Sequence, residues 1–415
     1  MASFSFGSGN AGKLLRIPLY LAGRLATAVI PRSRGDWVFG CSVGVSDGAL
    51  ALWRESERSG RVWLVADDRQ AQDAAALGIP TVRRDSWRGF WATARARVVV
   101  VTHGFGDVNR YAVGGAFVVQ LWHGIPFKRI GLDAPVTTDA GRWRRVPGVS
   151  RLLAALYRRT QRQISLLPAA SHLVRGRLET AFGFDDGVVR ALGEPRVDVL
   201  SAGAAADRRI AALSALAEAV GDLGTSRVVL YAPTWRDGAP DPAVPTAADW
   251  TRLIDVLDAT DAVLLVRSHP LGAGDYTPPV ATDRVRQLGS GAVADVTPLL
   301  PAVDVLVTDY SSLAYDIGLV PAATLFLAPD TATYAVSRGF YGDPIDVLGD
   351  DPARDWATAA DQLRTLLSDP REAARRRGRA AALSERVHAW RDGHNARRVH
   401  AAVVAAVPAA GEERA

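Results

Sequence analysis

The chain has 415 residues, of which 48% are hydrophobic and 22% are charged, and its formal net charge is +5 at pH 7. This length predicts two domains at about 100–200 residues each, and the composition excludes a disordered chain and an integral membrane protein. Cys41 is the only cysteine, which excludes an intrachain disulfide and a cysteine-built metal site and favours a reducing, cytoplasmic setting.

The N-terminal segment at residues 11–30 is basic and apolar. Arg16, Pro18 and Arg24 interrupt it, so it lacks the roughly 18 uninterrupted apolar residues that span a bilayer. Two interpretations stay open: the segment lies in the membrane interface, or it packs on the domain as a first helix.

Short apolar runs bounded by turn residues or charge predict four buried strands in each half. The predicted strands are Asp36–Gly40, Arg61–Ala66, Arg97–Thr102, Ala116–Leu121, Arg227–Tyr231, Ala262–Val266, Val303–Thr308 and Ala323–Leu327. Helical patterns such as Asp47–Glu57 and Ser86–Ala96 separate them, which is typical of parallel α/β sheets. We therefore predict two doubly wound domains, at 1–200 and 201–375. Two further helices within 376–415 are expected to close the second domain.

His123 follows the last strand of the first half directly, in LWHGIPFKRIGLD. Gly124 and Pro126 favour a sharp turn here, and Lys128 adds positive charge. Ligands of open α/β sheets bind at the carboxyl ends of the strands, and imidazole suits proton abstraction near phosphate because it titrates near neutral pH. The alternative is a structural histidine bonded to the backbone.

Two segments of the second half also follow strands. Arg267 and His269 lie in RSHP, where a guanidinium could bind phosphate through two donors. Asp309, Ser311 and Ser312 lie in TDYSS before a helical pattern, whose first N–H groups could bind an anion. An arginine in a surface turn and ordinary serine capping are the structural alternatives.

Two proline-containing segments are candidate walls of a site. Thr234, Trp235 and Arg236 in YAPTWRD could line a nucleotide pocket, and Arg196 in GEPRVD could make a polar contact. Each segment could equally be a rigid turn. The sequence has no GxxxxGK[ST], HExxH, GxSxG or complete GxGxxG pattern, and no carboxylate pair suited to Mg²⁺. We therefore expect neither a cofactor nor an obligatory metal.

Taken together, these segments resemble the CDP-glycerol glycerophosphotransferase family, the teichoic-acid primases and polymerases of bacterial cell walls. The resemblance extends over roughly residues 36–400. It rests on LWHGIPFKRIG at 121–131, GEPRVDVL at 193–200, YAPTWRD at 231–237, RSHP at 267–270, DVTPLLPAVDVLVTDYSSLAYD at 295–316, RGFY at 338–341 and RDGHNARRV at 391–399.

The resemblance implies a GT-B-like fold, in which two doubly wound Rossmann-like domains face each other across a cleft. It implies transfer of glycerol phosphate, or a related polyol phosphate, from a CDP-activated donor to a wall-polymer or lipid-linked acceptor, with release of CMP. It also implies a cytoplasmic enzyme attached peripherally to the inner face of the membrane. His123 becomes the base, and the implied diphosphate ligands are Arg267, His269, Ser311 and Ser312, supported by Asp309.

This sequence departs from the family pattern in three places. Gly48 stands where the family usually has asparagine, Glu194 and Val197 alter the GEPRVD segment, and DGHNA replaces the typical DGKAS. These changes bear on donor and acceptor identity. The surplus of basic residues favours an anionic partner. Nucleic acid is not expected, because the chain has no basic arm. Two alternatives to the transferase therefore stay open. They are a GT-B glycosyltransferase that uses a nucleotide sugar for capsule or wall glycan, and a non-catalytic assembly protein that binds anionic polymer.

Overall fold

The computed structural model describes residues 17–33, 35–57, 60–138, 146–236, 239–268, 272 and 274–407. Contacts divide the described chain into two compact units. The first unit takes its residues from Met1–Gly124, Arg129–Asp198 and His394–Ala415, and the second takes them from Ile125–Lys128 and Val199–Gly393.

The first unit is built on a parallel five-stranded sheet of order β3-β2-β1-β4-β5. Its strands are β1 (Trp37–Gly40), β2 (Arg61–Val65), β3 (Thr81–Arg83), β4 (Val98–Val101) and β5 (Phe117–Gln120). A short parallel pair, β6 (Leu167–Ala169) and β7 (Val189–Ala191), extends this sheet, because Leu166 bridges Val119. Buried β-branched and aromatic side chains cover the strands, as expected for a sheet enclosed on both faces.

Within the described residues, six α-helices of the first unit precede residue 190. They are α1 (Ile17–Val29), α2 (Asp47–Glu55), α3 (Asp68–Ala76), α4 (Trp87–Arg95), α5 (Val149–Gln161) and α6 (His172–Phe182). Asp67, Ser86 and Ser171 cap three of them by accepting a backbone N–H in the first turn, so these starts are encoded locally.

The second unit repeats the arrangement with a parallel sheet of order β10-β9-β8-β11-β12. Its strands are β8 (Arg227–Ala232), β9 (Ala262–Val266), β10 (Val285–Gln287), β11 (Val305–Thr308) and β12 (Ala323–Phe326). Its helices are α7 (Ala205–Val220), α8 (Ala247–Ala259), α9 (Leu313–Asp316), α10 (Thr331–Ser337), α11 (Ile345–Leu348), α12 (Trp356–Ser368) and α13 (Pro370–Val387). Among the helices described, none combines the length and apolar character needed to cross a bilayer.

All eight predicted strands are present, so the prediction of two doubly wound parallel sheets is confirmed. The four strands that the sequence did not indicate, β3, β6, β7 and β10, have three residues each. A three-residue segment is too short to show a period, and its pairing depends on a neighbour that is distant along the chain.

The last helix, α14 (Asn395–Ala406), packs on the first unit. Val399 and Val403 are fully buried in the same core as Trp37 and Trp63. We expected both C-terminal helices to close the second domain. Only α13 belongs to the second unit, whereas α14 belongs to the first. An amphipathic helix can be recognised from sequence, but the sheet that its apolar face covers cannot.

The start of α14 is held by two motif segments. Asp198 accepts backbone N–H groups from Asn395 at 2.9 Å and Ala396 at 2.7 Å. Gly193 has φ +86°, and a Cβ there would lie 1.9 Å from the Asn395 side-chain oxygen, so only glycine fits this approach. Part of GEPRVD and of RDGHNARRV thus forms a structural clasp.

Candidate active site

His123 lies in the turn that follows β5 in the first unit. Trp122 before it has φ +64°, a left-handed conformation that is strained for a bulky residue, and Gly124 after it has φ +133°. The Trp122 ring packs against His123 with centroids 4.2 Å apart, and meets Phe182 edge-on at 5.0 Å. These aromatic contacts hold the strained turn and aim the His123 ring.

A second imidazole stacks on His123. His103 follows β4, and β4 pairs with β5 so that Val101 lies opposite Gln120. The residues that follow the two strands therefore emerge side by side. The His103 and His123 rings are 4.5 Å apart between centroids, with only 11° between their planes.

The His103 ring is held by hydrogen bonds that end on a buried carboxylate. Asp107 accepts the backbone N–H groups of Thr102 at 2.8 Å and His103 at 2.7 Å, and also bonds the Ser42 hydroxyl. The Thr102 hydroxyl lies 2.7 Å from His103 Nδ1 and 3.3 Å from the same carboxylate. Gly40 permits this packing, since a Cβ there would lie 2.2 Å from the Asp107 carbonyl oxygen.

The surroundings of His123 favour its neutral form. Burial is the largest cause that lowers the pKa of His123 well below its usual value, followed by the charge of His103 and a smaller effect of Arg196. The Thr102 backbone opposes this shift. Nδ1 of His123 is buried and lacks a hydrogen-bond partner among the described residues. The ring can therefore accept a proton at neutral pH, which is what a general base requires.

Arg196 also belongs to this site. Its side chain pairs with Glu194 at 3.1 Å, and both side chains are buried. A Cβ at Gly48 would contact Leu121 Cδ1 at 3.4 Å and the Arg196 backbone N at 3.5 Å. Two of the departures from the family pattern, Gly48 and Glu194, thus lie around Arg196.

Cys41, Asp47 and His103 are the one group of three metal-type donors within the described ranges, with ligand atoms within 4.8 Å of one another. His103 Nδ1 lies 3.8 Å from Cys41 Sγ, but the same nitrogen is bonded to Thr102. Burial, then Asp47 and Asp107, raises the pKa of the Cys41 thiol well above its usual value, so the thiol stays protonated. As placed, the group is a hydrogen-bonded cluster, and we assign it no metal.

In the second unit, Asp309 and Arg236 form the centre of a buried ion-pair network. Asp309 accepts the Thr234 backbone N–H at 2.8 Å and pairs with Arg236 at 3.0 Å. Arg236 also pairs with Asp330 through two bonds of 2.8 Å, and its guanidinium lies over the Tyr310 ring at 5.0 Å. The guanidinium of Arg236 therefore holds the loops after β8, β11 and β12 together.

Charge compensation in this network is incomplete. Burial raises the pKa of Asp309, although Arg236 and the Thr234 bonds oppose that effect. Burial alone would lower the pKa of Arg236, but its bonds to Asp330 and the charge of Asp309 outweigh burial and raise it. Arg236 thus stays charged, and Asp309 depends on it.

The remaining predicted donor-binding residues differ in how their polar atoms are used. Thr234 is buried, and its backbone N–H donates to Asp309. Ser311 Oγ accepts the Leu313 N–H at 3.3 Å, and Ser312 makes no capping bond. The helix that Ser312 precedes has four residues, Leu313–Asp316.

Within the described residues, Arg267 donates hydrogen bonds to three backbone carbonyls, those of Leu288 at 3.1 Å, Val293 at 2.8 Å and Ala294 at 3.0 Å. Burial lowers its pKa. Arg267 thus secures the segment after β10. His269 lies outside the described residues.

Three predicted supporting residues follow His123. Gly124 is buried and belongs to the first unit, whereas Pro126 and Lys128 belong to the second. Lys128 forms a backbone bridge with Phe340 of the RGFY segment, so this motif pairs with the end of LWHGIPFK. Trp235 is partly exposed beside Thr234.

Sequence reasoning overlooked His103 as a site residue. The rule that selected His123, a histidine just beyond a strand end, applies equally to His103 after β4. No sequence pattern pointed to Asp107 or Thr102. Their role depends on the turn after β4, which packs Asp107 against Gly40 at the end of β1.

The model of one protein family, described as CDP-Glycerol:Poly(glycerophosphate) glycerophosphotransferase, matches residues 45–405. A teichoic acid glycerol-phosphate transferase of Staphylococcus aureus is 28% identical over 273 residues, which are 64% of this chain and 66% of that protein. A teichoic acid poly(glycerol phosphate) polymerase of Bacillus subtilis is 26% identical over 277 residues, 64% of this chain but 34% of that protein.

The solved structure of the wall teichoic acid polymerase TagF superposes with a TM-score of 0.76 at 20% sequence identity. The match covers 97% of this chain and 98% of that one. At this identity the likeness shows the fold alone, and it confirms the predicted GT-B-like pair of doubly wound domains.

Proposed function

Because the chain belongs to the CDP-glycerol:poly(glycerophosphate) glycerophosphotransferase family, we propose that it transfers glycerol phosphate, or a related polyol phosphate, from a CDP-activated donor. The acceptor is a wall polymer or a lipid-linked precursor, and CMP is released. The matched segments cover two thirds or less of the curated relatives, so the activity of the whole protein is part of this proposal. The observation that carries it is His123, an imidazole held neutral in the WHG turn of the matched family.

In the proposed reaction, the acceptor hydroxyl attacks the distal phosphorus of the donor. A new P–O bond forms to the acceptor, the bond to the bridging oxygen breaks, and CMP leaves with that electron pair. His123 takes the proton of the hydroxyl. Such a transfer depends on positioning and charge neutralisation more than on covalent chemistry by the protein. The one chemical task left to the protein is to accept the proton of the hydroxyl, and a neutral imidazole can do so.

The donor diphosphate is assigned to the second unit. His269, Ser311, Ser312 and Thr234 are proposed to bind it, and the hydrogen bond from the Thr234 N–H to Asp309 supports this, because it holds the loop after β8 beside the TDYSS segment. Arg267 and Arg236 donate to carbonyl and carboxylate groups of the protein. Their proposed contribution is to fix the loops around the donor site, since most of their donors are engaged.

Arg196 is the proposed acceptor-side contact of the first unit. Glu194 neutralises part of its charge, and Gly48 leaves room beside it. We infer that a phosphate of the acceptor approaches this position. Gly124 and Pro126 shape the turn, and Lys128 supplies a cation on the same motif.

We also propose peripheral attachment to the inner membrane face through α1. Leu19, Leu21, Leu25 and Val29 are exposed, with Leu25 at 72% and Val29 at 80%. Trp87 of α4 is 71% exposed, and tryptophan favours the membrane interface. An exposed apolar helix with basic residues binds the surface of anionic bilayers. Of the two interpretations left open by the sequence, this supports the interfacial one.

Vesicle flotation tests the attachment. We expect the protein to float with vesicles containing phosphatidylglycerol, and the double variant L21E/L25E to stay in the soluble fraction. I210E is a matched control, because Ile210 is 67% exposed on α7 of the second unit. Equal flotation of both variants would remove α1 from the proposal.

A donor panel tests the activity. CDP-glycerol, CDP-ribitol, UDP-glucose and UDP-N-acetylglucosamine are each incubated with the protein and a lipid-linked acceptor analogue, and nucleotide release is measured. We expect CMP only, and a loss of about 10²–10⁴ in kcat for H123A with CDP affinity within about twofold. H172A, at an exposed histidine on α6, should keep full activity. Release of UDP favours the glycosyltransferase, and no release from any donor favours the assembly protein.

A further inference from the structure

We propose that His103 is a positioning residue for the transfer: its ring, oriented by Thr102 and Asp107, stacks on His123 and keeps that imidazole neutral and in place. This inference rests on the proposed function and assigns a role to a residue that none of the family segments contains.

His103 itself is held in a fixed orientation. It is 8% exposed, and its Nδ1 lies 2.7 Å from the Thr102 hydroxyl, which in turn reaches the Asp107 carboxylate at 3.3 Å. A carboxylate can only accept, so the Thr102 hydroxyl donates to Asp107 and accepts from Nδ1–H. This chain of bonds fixes a proton at Nδ1 and the plane of the His103 ring.

The fixed His103 ring acts on His123. The rings stack nearly parallel at 4.5 Å, so any tilt of His103 would displace His123. A protonated His123 would place a cation against a second imidazole, with the Arg196 guanidinium also contributing positive potential. Glu194 pairs with Arg196, and Cys41, Asp47 and Asp107 lie close to His103. His103 therefore acts on the base through contact and charge together.

The two imidazoles are brought together by the sheet. His103 follows β4 and His123 follows β5, and these strands pair in register. Gln120 at the end of β5 donates to the Thr102 carbonyl at 3.1 Å, which ties the two strand ends together. The pair of imidazoles is thus built into the rigid part of the unit.

Three variants test the proposal. H103A removes the stack, H103F keeps a ring without charge, and T102V breaks the bond that orients His103 with little change in shape. CMP release is measured from pH 4.5 to 8.5. We expect H103A to lower kcat by about 10–100-fold with the KM for CDP-glycerol within about twofold. H103F should retain more activity, and the acid limb of its profile should move up by about half a pH unit or more. T102V should show a smaller change in the same direction.

A second readout does not require turnover. Protein labelled with ¹³C at the ε1 position of histidine is titrated by NMR, with the His123 signal assigned from H123A. We expect the His123 midpoint to rise in H103F and to stay unchanged in H172F, a control at an exposed histidine. If the wild type releases no CMP, the proposed function fails while this titration still tests the pairing.

An unmoved His123 midpoint in H103F would overturn the inference. So would a loss of kcat that is equal at every pH in all three variants, because that pattern identifies a purely structural residue. Circular dichroism and amide exchange of each variant show whether it is folded. If H103A is unfolded, T102V and H103F carry the test.

Discussion

Arg236 gives the sharpest test of the energetics in the second unit. Replacing it by methionine keeps the apolar stem but removes the guanidinium that joins Asp309 at 3.0 Å and Asp330 at 2.8 Å. The Arg236 and Asp309 side chains are only 7% and 6% exposed, whereas Asp330 is 22% exposed. Asp330 can therefore regain water in the variant, and Asp309 cannot.

The expected loss follows from this difference. Removing one partner of a buried ion pair destabilises a protein by about 3–5 kcal/mol, because the other charge stays buried. Protonation of Asp309 limits the loss, since burial already raises the pKa of that carboxyl and the variant would raise it further. The destabilisation should therefore be larger at pH 8 than at pH 5.

Amide hydrogen exchange measured by mass spectrometry is the suitable assay, because it reports on each unit separately. Peptides that cover β8 and β11 should exchange faster in R236M, and peptides from β1 and β4 should not change. R252M is the matched control. Arg252 pairs with Asp361 at 3.6 Å, both side chains are exposed, and such pairs contribute about 0–1 kcal/mol.

Equal protection of β8 and β11 in R236M and in the wild type would refute this reasoning. It would mean that Asp309 is solvated or already neutral, and Arg236 would then be available to the donor. CDP affinity measured on R236M at a temperature where the variant is folded separates the two roles. A structural clamp predicts lost protection with CDP affinity largely kept.

The other predictions concern the first unit. Because the pKa of His123 is lowered, kcat/KM should stay constant from pH 8 down to below the usual pKa of histidine. It should then fall as His123 takes up a proton. A profile that already falls at pH 7 would contradict this. D198A should destabilise α14 by about 1–3 kcal/mol, which would appear as faster amide exchange in α14 peptides. D207A, at an exposed site on α7, is the control and should leave this exchange unchanged. Equal protection of α14 in D198A and the wild type would refute the clasp. Cys41, buried with a raised pKa, should not react with Ellman's reagent at pH 8 until urea unfolds the chain.

Local sequence patterns were sufficient for much of this molecule. The eight longer strands, including Val98–Val101 and Arg227–Ala232, are apolar, β-branched runs bounded by turn residues. Such runs can be recognised as strands from the sequence alone, because the apolar pattern and the residues that end it lie within the same short segment. The position of His123 at a strand end followed from the same pattern. The family resemblance added the order and spacing of motifs, and the match over residues 45–405 agrees with it.

Contacts between distant segments were decided only by the tertiary structure. The stacking of His103 on His123 needs β4 and β5 to be neighbours in register, and nothing in either segment alone encodes that pairing. From the sequence, Arg236 and Arg267 could both be phosphate-binding arginines. In the structure their N–H groups instead donate to carboxylates and carbonyls of residues that are distant along the chain. Asp198 meets the start of α14 across nearly 200 residues. Patterning encodes which faces are apolar, whereas the partner of each face and of each polar group is selected by the packing of the whole unit.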